Sequence, residues 1–249
     1  MAGLLRTGLL LPAAPRPEGP FVLPVWGGKG GIGKSNTAFE LAYSLAQIGP
    51  TLLVNADKKQ VDGGVTDLAN NLARKREGAC PFELMETDEP AELAQLRRLK
   101  QFRYVVTDNA PHRDEAKLRA AAKGDLVIVP MPPRYSDIKA VMSSIRDHLK
   151  PIGASFRVLL TMVEYGRRNR ATSLQETMRA VGMPCYSTYI RKYDAHETAG
   201  SSGVPVIDGG GGNNCDKAGE DVYNFVDETL VAIGEPFRVA RLAIEAAAS

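Results

Sequence analysis

A ten-residue segment of the chain, running from Trp26 to Ser35, combines five glycines with two lysines and one serine. Within it, Gly28, Gly33, Lys34 and Ser35 have the spacing G-x-x-x-x-G-K-[ST]. Glycines at these positions let successive backbone N–H groups turn toward phosphate oxygens, because no Cβ atom blocks the approach. The lysine reaches the β- and γ-phosphates, and the serine hydroxyl binds Mg²⁺. The segment therefore predicts a site for a nucleoside triphosphate with Mg²⁺.

Two aspartates further along the chain each follow a short apolar run. Asp57 comes after residues 52–55, and Asp108 comes after residues 104–107. At the carboxyl ends of parallel strands, both acids would lie beside the phosphate loop. We expect Asp108 to bind Mg²⁺, and Asp57 either to orient the attacking water or to hold Mg²⁺ through a water. The alternatives are an ordinary polar residue at a strand end for Asp57 and a helix N-cap before Pro111 for Asp108.

Apolar runs alternate with amphipathic runs along the chain, which predicts an α/β fold of one domain, with a mostly parallel twisted sheet and helices on both faces. The predicted strands are 21–26, 51–55, 103–107, 125–129, 157–163 and 184–189, with a further short strand at 79–85. The predicted helices are 35–47, 64–77, 89–99, 112–122, 136–149, 171–181, 216–232 and 236–247. Pro24 argues against the first strand, because proline cannot donate a ladder hydrogen bond. We expect Asp137 to cap the helix that begins near it.

The composition fits one sizeable domain and excludes several classes of protein. The chain has 249 residues, 44% of them hydrophobic, and a net charge of +2, so its bulk charge does not indicate a nucleic-acid binder. Its three cysteines, Cys80, Cys185 and Cys215, are scattered, which argues against a disulfide scaffold and fits a reducing compartment. No run approaches the roughly 18 apolar residues of a membrane span. We expect residues 1–20 to be a disordered N-terminal extension, with a targeting role as the alternative, and residues 21–249 to form the domain.

Positive charge is concentrated in one late stretch of the chain. Residues 157–192 contain seven basic residues against two acidic ones, whereas residues 195–249 contain three basic against nine acidic. We expect this stretch to contact DNA phosphates without reading bases, through Arg167, Arg168, Arg170, Arg191 and Lys192. The alternative is a solvated charged surface.

The segment Lys29–Ser35 resembles the deviant phosphate loop K-G-G-x-G-K-[ST] of the ParA/MinD family of deviant Walker-A ATPases. Further segments match that family in its own order, at 51–57, 104–108, 125–130 and 184–191. The resemblance covers about residues 21–232 and is strongest to the small ParA-type partition ATPases. It implies a P-loop NTPase fold and the cofactors ATP and Mg²⁺.

The resemblance also implies roles for individual residues. Lys29 would cross the interface of an ATP-dependent homodimer and contact the partner's ATP, as an arginine finger does. With Lys34 and Asp57 it would form the catalytic set, while Ser35, Asp57 and Asp108 would hold the metal ion. The nucleotide would be bound by Gly28, Lys29, Gly30, Gly31, Ile32, Gly33, Lys34, Ser35 and Asn36, with Thr161 near the adenine.

The turn after the second predicted strand departs from the family pattern. The family often has D-x-D-P-Q, and residues Asn55–Gln60 read N-A-D-K-K-Q in this chain. The first aspartate is an asparagine and the proline is missing, so the geometry of this switch segment is open. Lys58 and Lys59 are either solvated loop charges or contacts to nucleic acid or to the partner subunit.

The function that the resemblance implies is a cytoplasmic, nucleoid-associated ATPase. It would dimerise on ATP, bind DNA non-specifically, and be driven by a ParB-like or other cargo-adaptor protein to segregate a plasmid, a chromosome or a protein body. One alternative is a MinD-like membrane-associated positioning ATPase, but residues 237–246 offer little apolar area and no stable membrane association is expected. The other is a metabolic or maturation ATPase on the same scaffold, for which the chain shows no paired cysteines or histidine cluster.

Overall fold

The computed structural model describes residues 18–57, 64–111 and 124–235. These residues form a single domain around a seven-stranded sheet in which every pairing is parallel. The strands are β1 (Phe21–Val25), β2 (Thr51–Ala56), β3 (Glu83–Glu86), β4 (Tyr104–Asn109), β5 (Val127–Met131), β6 (Phe156–Val163) and β7 (Cys185–Arg191). Their order across the sheet is β3-β2-β4-β1-β5-β6-β7, which places β1 at the centre. The predicted parallel α/β fold is confirmed.

Helices cover both faces of this sheet. They are α1 (Lys34–Ala46), α2 (Val65–Lys75), α3 (Pro90–Leu93), α4 (Tyr135–Ser144), α5 (Arg168–Ala180), α6 (Asp194–Ser202) and α7 (Cys215–Ala232). One apolar cluster joins β1 to α1, α2, α6 and α7, and a second joins β5 and β6 to α4 and α5. Leu23 belongs to the first cluster, whereas Val22 packs in a third cluster near α3. This alternation is what neighbouring residues on a strand buried on both faces produce.

The predicted and observed elements agree to within a few residues, with three differences. The sequence does not predict α6, because its buried positions are the small residues Ala195 and Ala199, which give no bulky apolar stripe. The helix predicted at 89–99 is instead the short α3 followed by a 3₁₀ turn at Leu96–Arg98. The helix predicted at 136–149 contains α4 and then changes to a π-helical turn at Ile145–Leu149.

Some of the predictions fall on residues outside the described part of the chain. These are the helices predicted at 112–122 and 236–247, Lys58 and Lys59, and nearly all of the N-terminal extension. Among the helices that are described, none is both long and apolar enough to cross a bilayer.

Pro24 lies in the central strand without interrupting it. Backbone N–H groups of alternate strand residues point to the same side, and the Val22 N–H donates to the Asp125 carboxylate at 2.7 Å on the β5 side. The ring nitrogen of Pro24 therefore faces that side too, and β1 does not pair with β5 before Val25. A Cβ atom on Gly124 would come within 2.4 Å of the Pro24 Cδ atom. The proline ring thus fills space where no strand hydrogen bond is required.

The central strand should be sensitive to loss of side-chain volume. Leu23 has 0% exposure in the middle of β1, so we expect Leu23→Ala to lower the free energy of unfolding by about 2–5 kcal/mol through reduced burial and a residual cavity. Val231→Ala, at a position that is 74% exposed, is the control and should change stability by less than about 0.5 kcal/mol. Urea unfolding of the two variants measures the difference, and equal effects would contradict this description of the core.

Candidate functional site

The glycine-rich loop lies at the centre of the carboxyl edge of the sheet. It follows β1, whose two neighbours, β4 and β5, continue the sheet in opposite directions. Parallel sheets bind ligands in the crevice that such a reversal creates at the carboxyl ends of the strands. The helix α1 begins directly after the loop, at Lys34. Its unpaired N–H groups and its dipole favour an anion at this position.

Two loop glycines have a positional reason that the backbone makes explicit. Gly33 precedes α1 with a φ angle of 90°, in the left-handed region where a side chain is strained. Gly28 packs so closely on α4 that an added Cβ atom would lie 2.1 Å from the Ser144 hydroxyl oxygen. The loop therefore needs glycine both for its turn and for its contact with the neighbouring helix.

Lys34 is buried at the start of α1, with only 8% exposure. Its Nζ atom donates to the carbonyl of Lys29 at 3.2 Å, which directs the ammonium group across the inside of the loop. Burial lowers the pKa of Lys34, whereas the carboxylates of Asp108 and Asp57 raise it. Lys34, Asp108 and Asp57 thus lie close enough to share one electrostatic environment.

Asp108 carries the least solvated charge of the site. It is 1% exposed, its Oδ1 atom has no hydrogen-bond partner among the described residues, and its carboxyl group accepts a hydrogen bond from Ser35. Burial raises the pKa of Asp108 to about 6, with a contribution from Asp57, and Ser35 and Lys34 act in the opposite direction. A buried carboxylate oxygen without a partner, next to a serine hydroxyl, fits a hard cation that prefers oxygen ligands. These two residues would hold Mg²⁺.

Asp57 follows β2 and is partly exposed at the same edge. Its backbone N–H donates to the side-chain oxygen of Asn55 at 2.9 Å. The Asn55 amide in turn donates to Thr66 at 2.8 Å, and Thr66 donates to Glu86 at 2.6 Å. The asparagine that departs from the family pattern therefore fixes the turn that presents Asp57, and it joins β2 to α2 and β3.

Lys29 forms an ion pair with Asp137, the third residue of α4. The Asp137 side chain is 5% exposed, whereas that of Lys29 is 41% exposed. The predicted capping role of Asp137 is wrong, because its side chain makes no cap hydrogen bond and instead meets a lysine 108 residues away. In the single chain, Lys29 is therefore held against its own subunit.

Thr161 supports the loop from β6. Its hydroxyl donates to the carbonyl of Ile32 at 2.9 Å, and the residue is 3% exposed. The next residue, Met162, has a φ angle of 55°, a conformation that is uncommon for a side chain of this size. A pocket of about 190 Å³ opens between Thr161, Gly33 and Asn36 on one side and β7, α6 and α7 on the other. The predicted adenine residue thus lies at the pocket that adjoins the phosphate loop.

Three of the predicted DNA-contact residues lie together at the same edge of the sheet, where β6 leads into α5. Arg170 is exposed and has no ion pair among the described residues. Arg167 pairs with Glu164 at 3.0 Å, with both side chains nearly half exposed. Arg168 lies over the ring of Tyr165, 4.6 Å from its centroid, and Tyr165 itself is 80% exposed. A surface with an exposed aromatic ring and three arginines suits a phosphate-rich partner.

Arg191 differs from these residues because its charge is neutralised inside the fold. Its guanidinium group pairs with Asp221 at 2.7 Å and with Glu220 at 3.1 Å, and the side chain is 14% exposed. These contacts tie β7 to α7, so a phosphate contact by Arg191 would require breaking them. Lys192, the next residue, is exposed.

Some site residues escape sequence reasoning because their partners are far away in the chain. Asn109 donates from Nδ2 to the Val25 carbonyl at 3.1 Å and to the Thr107 hydroxyl at 2.7 Å, which holds β4 to β1 beside the loop. Glu40 and His196 line the pocket. Asn109 could have been predicted as a site residue, because it directly follows Asp108 at the end of a strand. Glu40 and His196 have no such signal in the sequence.

No family model matches the chain. A protein named "Maintenance of carboxysome distribution protein A", from Gloeobacter kilaueensis, is 34% identical over 212 residues, which span 85% of this chain and 94% of that protein. Among solved structures, MinD from Pyrococcus horikoshii in complex with Mg-ADP aligns with a TM-score of 0.66 and 16% identity, over 87% of this chain and 99% of that one. An ATP complex of a Cyanothece McdA variant aligns with a TM-score of 0.61 and 15% identity, over 88% and 98%.

The buried charge of Asp108 should lower the stability of the ligand-free protein. With its pKa raised from 3.8 to about 6, this group favours folding below pH 4 and loses that contribution as pH rises to 6. We expect Asp108→Asn to unfold with a free energy higher than the parent by on the order of 2–3 kcal/mol at pH 7, and with little difference at pH 4. Urea unfolding at both pH values measures this, and Asp216→Asn, at an exposed carboxyl, is the control. An equal offset at both pH values would contradict the assignment.

Proposed function

The chain belongs to the ParA/MinD family of P-loop ATPases, and from that premise we propose that it is a ParA-type positioning ATPase that distributes a large protein body over DNA. The observation that carries this proposal is the similarity to a carboxysome distribution protein over nearly the whole length of that protein. The phosphate loop, the buried aspartate and the exposed arginines supply the parts that such a cycle needs. The partner is a cargo-bound adaptor protein, the counterpart of a ParB-like activator.

Nucleotide binding is the first step of this cycle. Lys34 lies inside the loop and provides the positive charge for the β- and γ-phosphates, while the glycine backbone and the start of α1 provide N–H donors. Mg²⁺, when bound with the nucleotide, neutralises charge that develops on the phosphate oxygens. Ser35 and Asp108 are the residues of this chain that would hold it. Asp57, on the turn fixed by Asn55, accepts a proton or a hydrogen bond from the attacking water.

Dimerisation is the second step, and Lys29 couples it to the nucleotide. The ion pair with Asp137 holds Lys29 within its own subunit in the single chain. A partner's triphosphate offers more negative charge than one carboxylate, so the ATP-bound dimer draws Lys29 across the interface. Its charge then stabilises the transition state in the partner subunit, as an arginine finger does. Hydrolysis removes the γ-phosphate and restores the single-chain arrangement.

DNA binding is the third step, and the start of α5 with Lys192 forms the contact surface. Positive charge is available here because no ion pair neutralises Arg168, Arg170 or Lys192 within the described structure. Arg167 pairs with Glu164, but the pair is exposed and therefore weak. Dimerisation brings two such surfaces to one duplex, which raises affinity through the second contact. ATP therefore controls DNA binding.

One set of assays tests the function as a whole. Light scattering, co-sedimentation with DNA, and co-sedimentation with anionic vesicles are each run with ATP, with ADP and without nucleotide. We expect a dimer and DNA binding in the presence of ATP but not with ADP or without nucleotide. We expect no vesicle binding above background under any of the three conditions. Vesicle binding with ATP and no DNA binding would instead support a membrane-associated positioning ATPase.

Substitution of Lys29 should separate nucleotide binding from dimerisation. We expect Lys29→Ala to bind ATP with affinity within a few-fold of the parent, to remain monomeric by light scattering, and to lose at least roughly 100-fold in turnover, because an arginine-finger charge contributes at least that much. Asp57→Ala should instead dimerise and fail to hydrolyse. Lys100→Ala, at an exposed lysine at the opposite edge of the sheet, is the control. A stable ATP-bound dimer of Lys29→Ala with the turnover of the parent would contradict the proposed contact of this lysine with the partner's ATP.

Substitution of the arginines at α5 should weaken DNA binding without altering ATP affinity. For the triple variant Arg167→Ala, Arg168→Ala and Arg170→Ala we expect the slope of log affinity against log salt to fall by about 0.9 for each phosphate that is no longer neutralised. Two unrelated duplexes should behave alike, because binding to phosphates carries no sequence information.

The control for that measurement is a charge-matched triple variant at exposed residues elsewhere, Lys75→Ala, Arg98→Ala and Lys100→Ala. It should leave the salt slope unchanged in filter-binding titrations with ATP. If both triple variants gave the same salt slope, the α5 arginines would not contact DNA phosphates and would form only a solvated charged surface. A strong preference for one duplex would show base readout in place of phosphate binding.

A further inference from the structure

A short chain of hydrogen bonds connects the turn that carries Asp57 to the edge of the sheet. The backbone N–H of Asp57 donates to the side-chain oxygen of Asn55 at 2.9 Å, and the Asn55 amide donates to the Thr66 hydroxyl at 2.8 Å. That hydroxyl donates in turn to a carboxylate oxygen of Glu86 at 2.6 Å. The three side chains of Asn55, Thr66 and Glu86, which we call the relay, lie near the end of β2, in the first turn of α2 and at the end of β3.

Chemistry fixes the direction of each hydrogen bond in the relay. A backbone N–H only donates, so Asn55 presents its oxygen to Asp57 and has its amino group left for Thr66. A carboxylate only accepts, so the single proton of the Thr66 hydroxyl is used on Glu86. Asparagine fits the first place in the relay because its side chain carries both an acceptor and a donor. An aspartate at position 55 could not donate to Thr66.

The environment of Asn55 also favours a neutral side chain. Asn55 is 5% exposed and stands in register with Asp108 on the neighbouring strand β4. Side chains in register on neighbouring strands point to the same face of the sheet, and the strands are about 4.8 Å apart. The amide therefore gives Asp57 an oxygen acceptor without placing another carboxylate beside the buried Asp108.

The relay holds Asp57 by its backbone rather than by its carboxylate. The carboxylate lies close enough to Lys34 and Asp108 to interact with both electrostatically. A group that orients a reacting molecule loses up to about 100-fold in rate when it is displaced by about 1 Å. The bond to Asn55 prevents such a displacement only while the Asn55 side chain is itself held in place, and its amide is held by Thr66.

We propose that Asn55, Thr66 and Glu86 are positioning residues for Asp57, and that the relay helps to set the rate of ATP hydrolysis from outside the phosphate loop. The inference rests on the proposed role of Asp57 and adds the residues that keep it in place. Glu86, the exposed end of the relay, lies on β3, the strand at one edge of the sheet. Turnover therefore depends on an edge strand that contributes no residue to the predicted catalytic or metal set.

Two substitutions of Thr66 test the middle of the relay. Thr66→Val removes the hydroxyl and keeps the shape of the side chain, so kcat for ATP hydrolysis should fall roughly tenfold. KM, and the ATP affinity measured by the fluorescence of the single tryptophan, Trp26, should stay within about twofold because the phosphate loop is unchanged. Thr66→Ser keeps the hydroxyl and should retain the parental kcat. A fall in ATP affinity equal to the fall in kcat would show general damage to the site and would contradict a positioning role.

Reversing the directions of the hydrogen bonds gives a sharper test. In Asn55→Asp, two carboxylates compete for the one proton of Thr66, and kcat should fall at least roughly threefold. Adding Glu86→Gln places a donor at the other end of the relay, so both bonds between side chains can reverse while Asp57 keeps its acceptor. The double variant should return to within about twofold of the parental kcat.

The control for this rescue is Asn55→Asp combined with Glu83→Gln. It makes the same change of charge at another exposed residue of β3, but it supplies no donor to Thr66, so kcat should stay low. Equal kcat in the two double variants would overturn the relay.

Hydrogen exchange tests the relay without any nucleotide. In the ligand-free protein, the Asp57 amide followed by NMR should exchange roughly tenfold faster in Thr66→Val than in the parent, because its acceptor is no longer held. The Trp26 amide, which donates to the Ile128 carbonyl at 2.9 Å, is the internal control and should exchange at the parental rate. Equal exchange of the Asp57 amide in the parent and in Thr66→Val would contradict the inference.

The outcomes are distinguishable from failure of the proposed function. A parent without ATP turnover would overturn the proposed function, and the positioning role with it, whatever the exchange rates. A parent that hydrolyses ATP, together with a Thr66→Val variant that unfolds cooperatively and keeps the parental kcat, would overturn this inference alone.

Discussion

The burial of the Asp108 carboxylate beside Lys34 is the interaction on which the rest of the site depends. A negative charge at 1% exposure costs free energy unless a cation shares the space. Lys34 supplies part of that compensation, and the unpartnered Oδ1 atom leaves the remainder for a metal ion. The aspartate is buried beside the loop because β4 and β1 are neighbours in the sheet, so that Asp108 and the loop meet at its carboxyl edge.

The same balance of charge underlies the response to nucleotide that we propose for Lys29. Lys29 and Asp137 neutralise each other in the single chain, where their ion pair joins the loop to α4. A bound triphosphate would add negative charge next to both Lys34 and Lys29. Two hydrogen bonds to the backbone support the loop. The Thr161 hydroxyl donates to the carbonyl of Ile32 within the loop, and the Asn109 amide donates to the carbonyl of Val25 just before it. Lys29 is 41% exposed, so of the charges at the loop it is the one most accessible to a partner subunit, whereas Lys34 is buried.

The parts of this site that sequence reasoning predicts are those that depend on local spacing. The loop Gly28–Ser35, the strand before it and α1 after it follow from glycine positions and apolar periodicity, and the family resemblance extends them to Asp57 and Asp108. Contacts between distant residues could not be predicted in this way. Arg191 reads as a surface cation until Asp221, 30 residues later, neutralises it. Asp137 likewise reads as a helix cap until the fold brings Lys29 to it.

The account as a whole depends on the phosphate loop binding a magnesium nucleotide through Lys34, and Trp26 allows this to be measured directly. Its indole ring is 1% exposed and immediately precedes the loop, so its emission should change when the loop binds a ligand. Titration of the parent with ATP should give saturable binding that weakens when Mg²⁺ is chelated. Lys34→Ala, checked for cooperative thermal unfolding, should bind at least roughly tenfold more weakly, since it loses a buried charge-assisted hydrogen bond to phosphate. Equal ATP affinity in the parent and in Lys34→Ala, with or without Mg²⁺, would contradict the account.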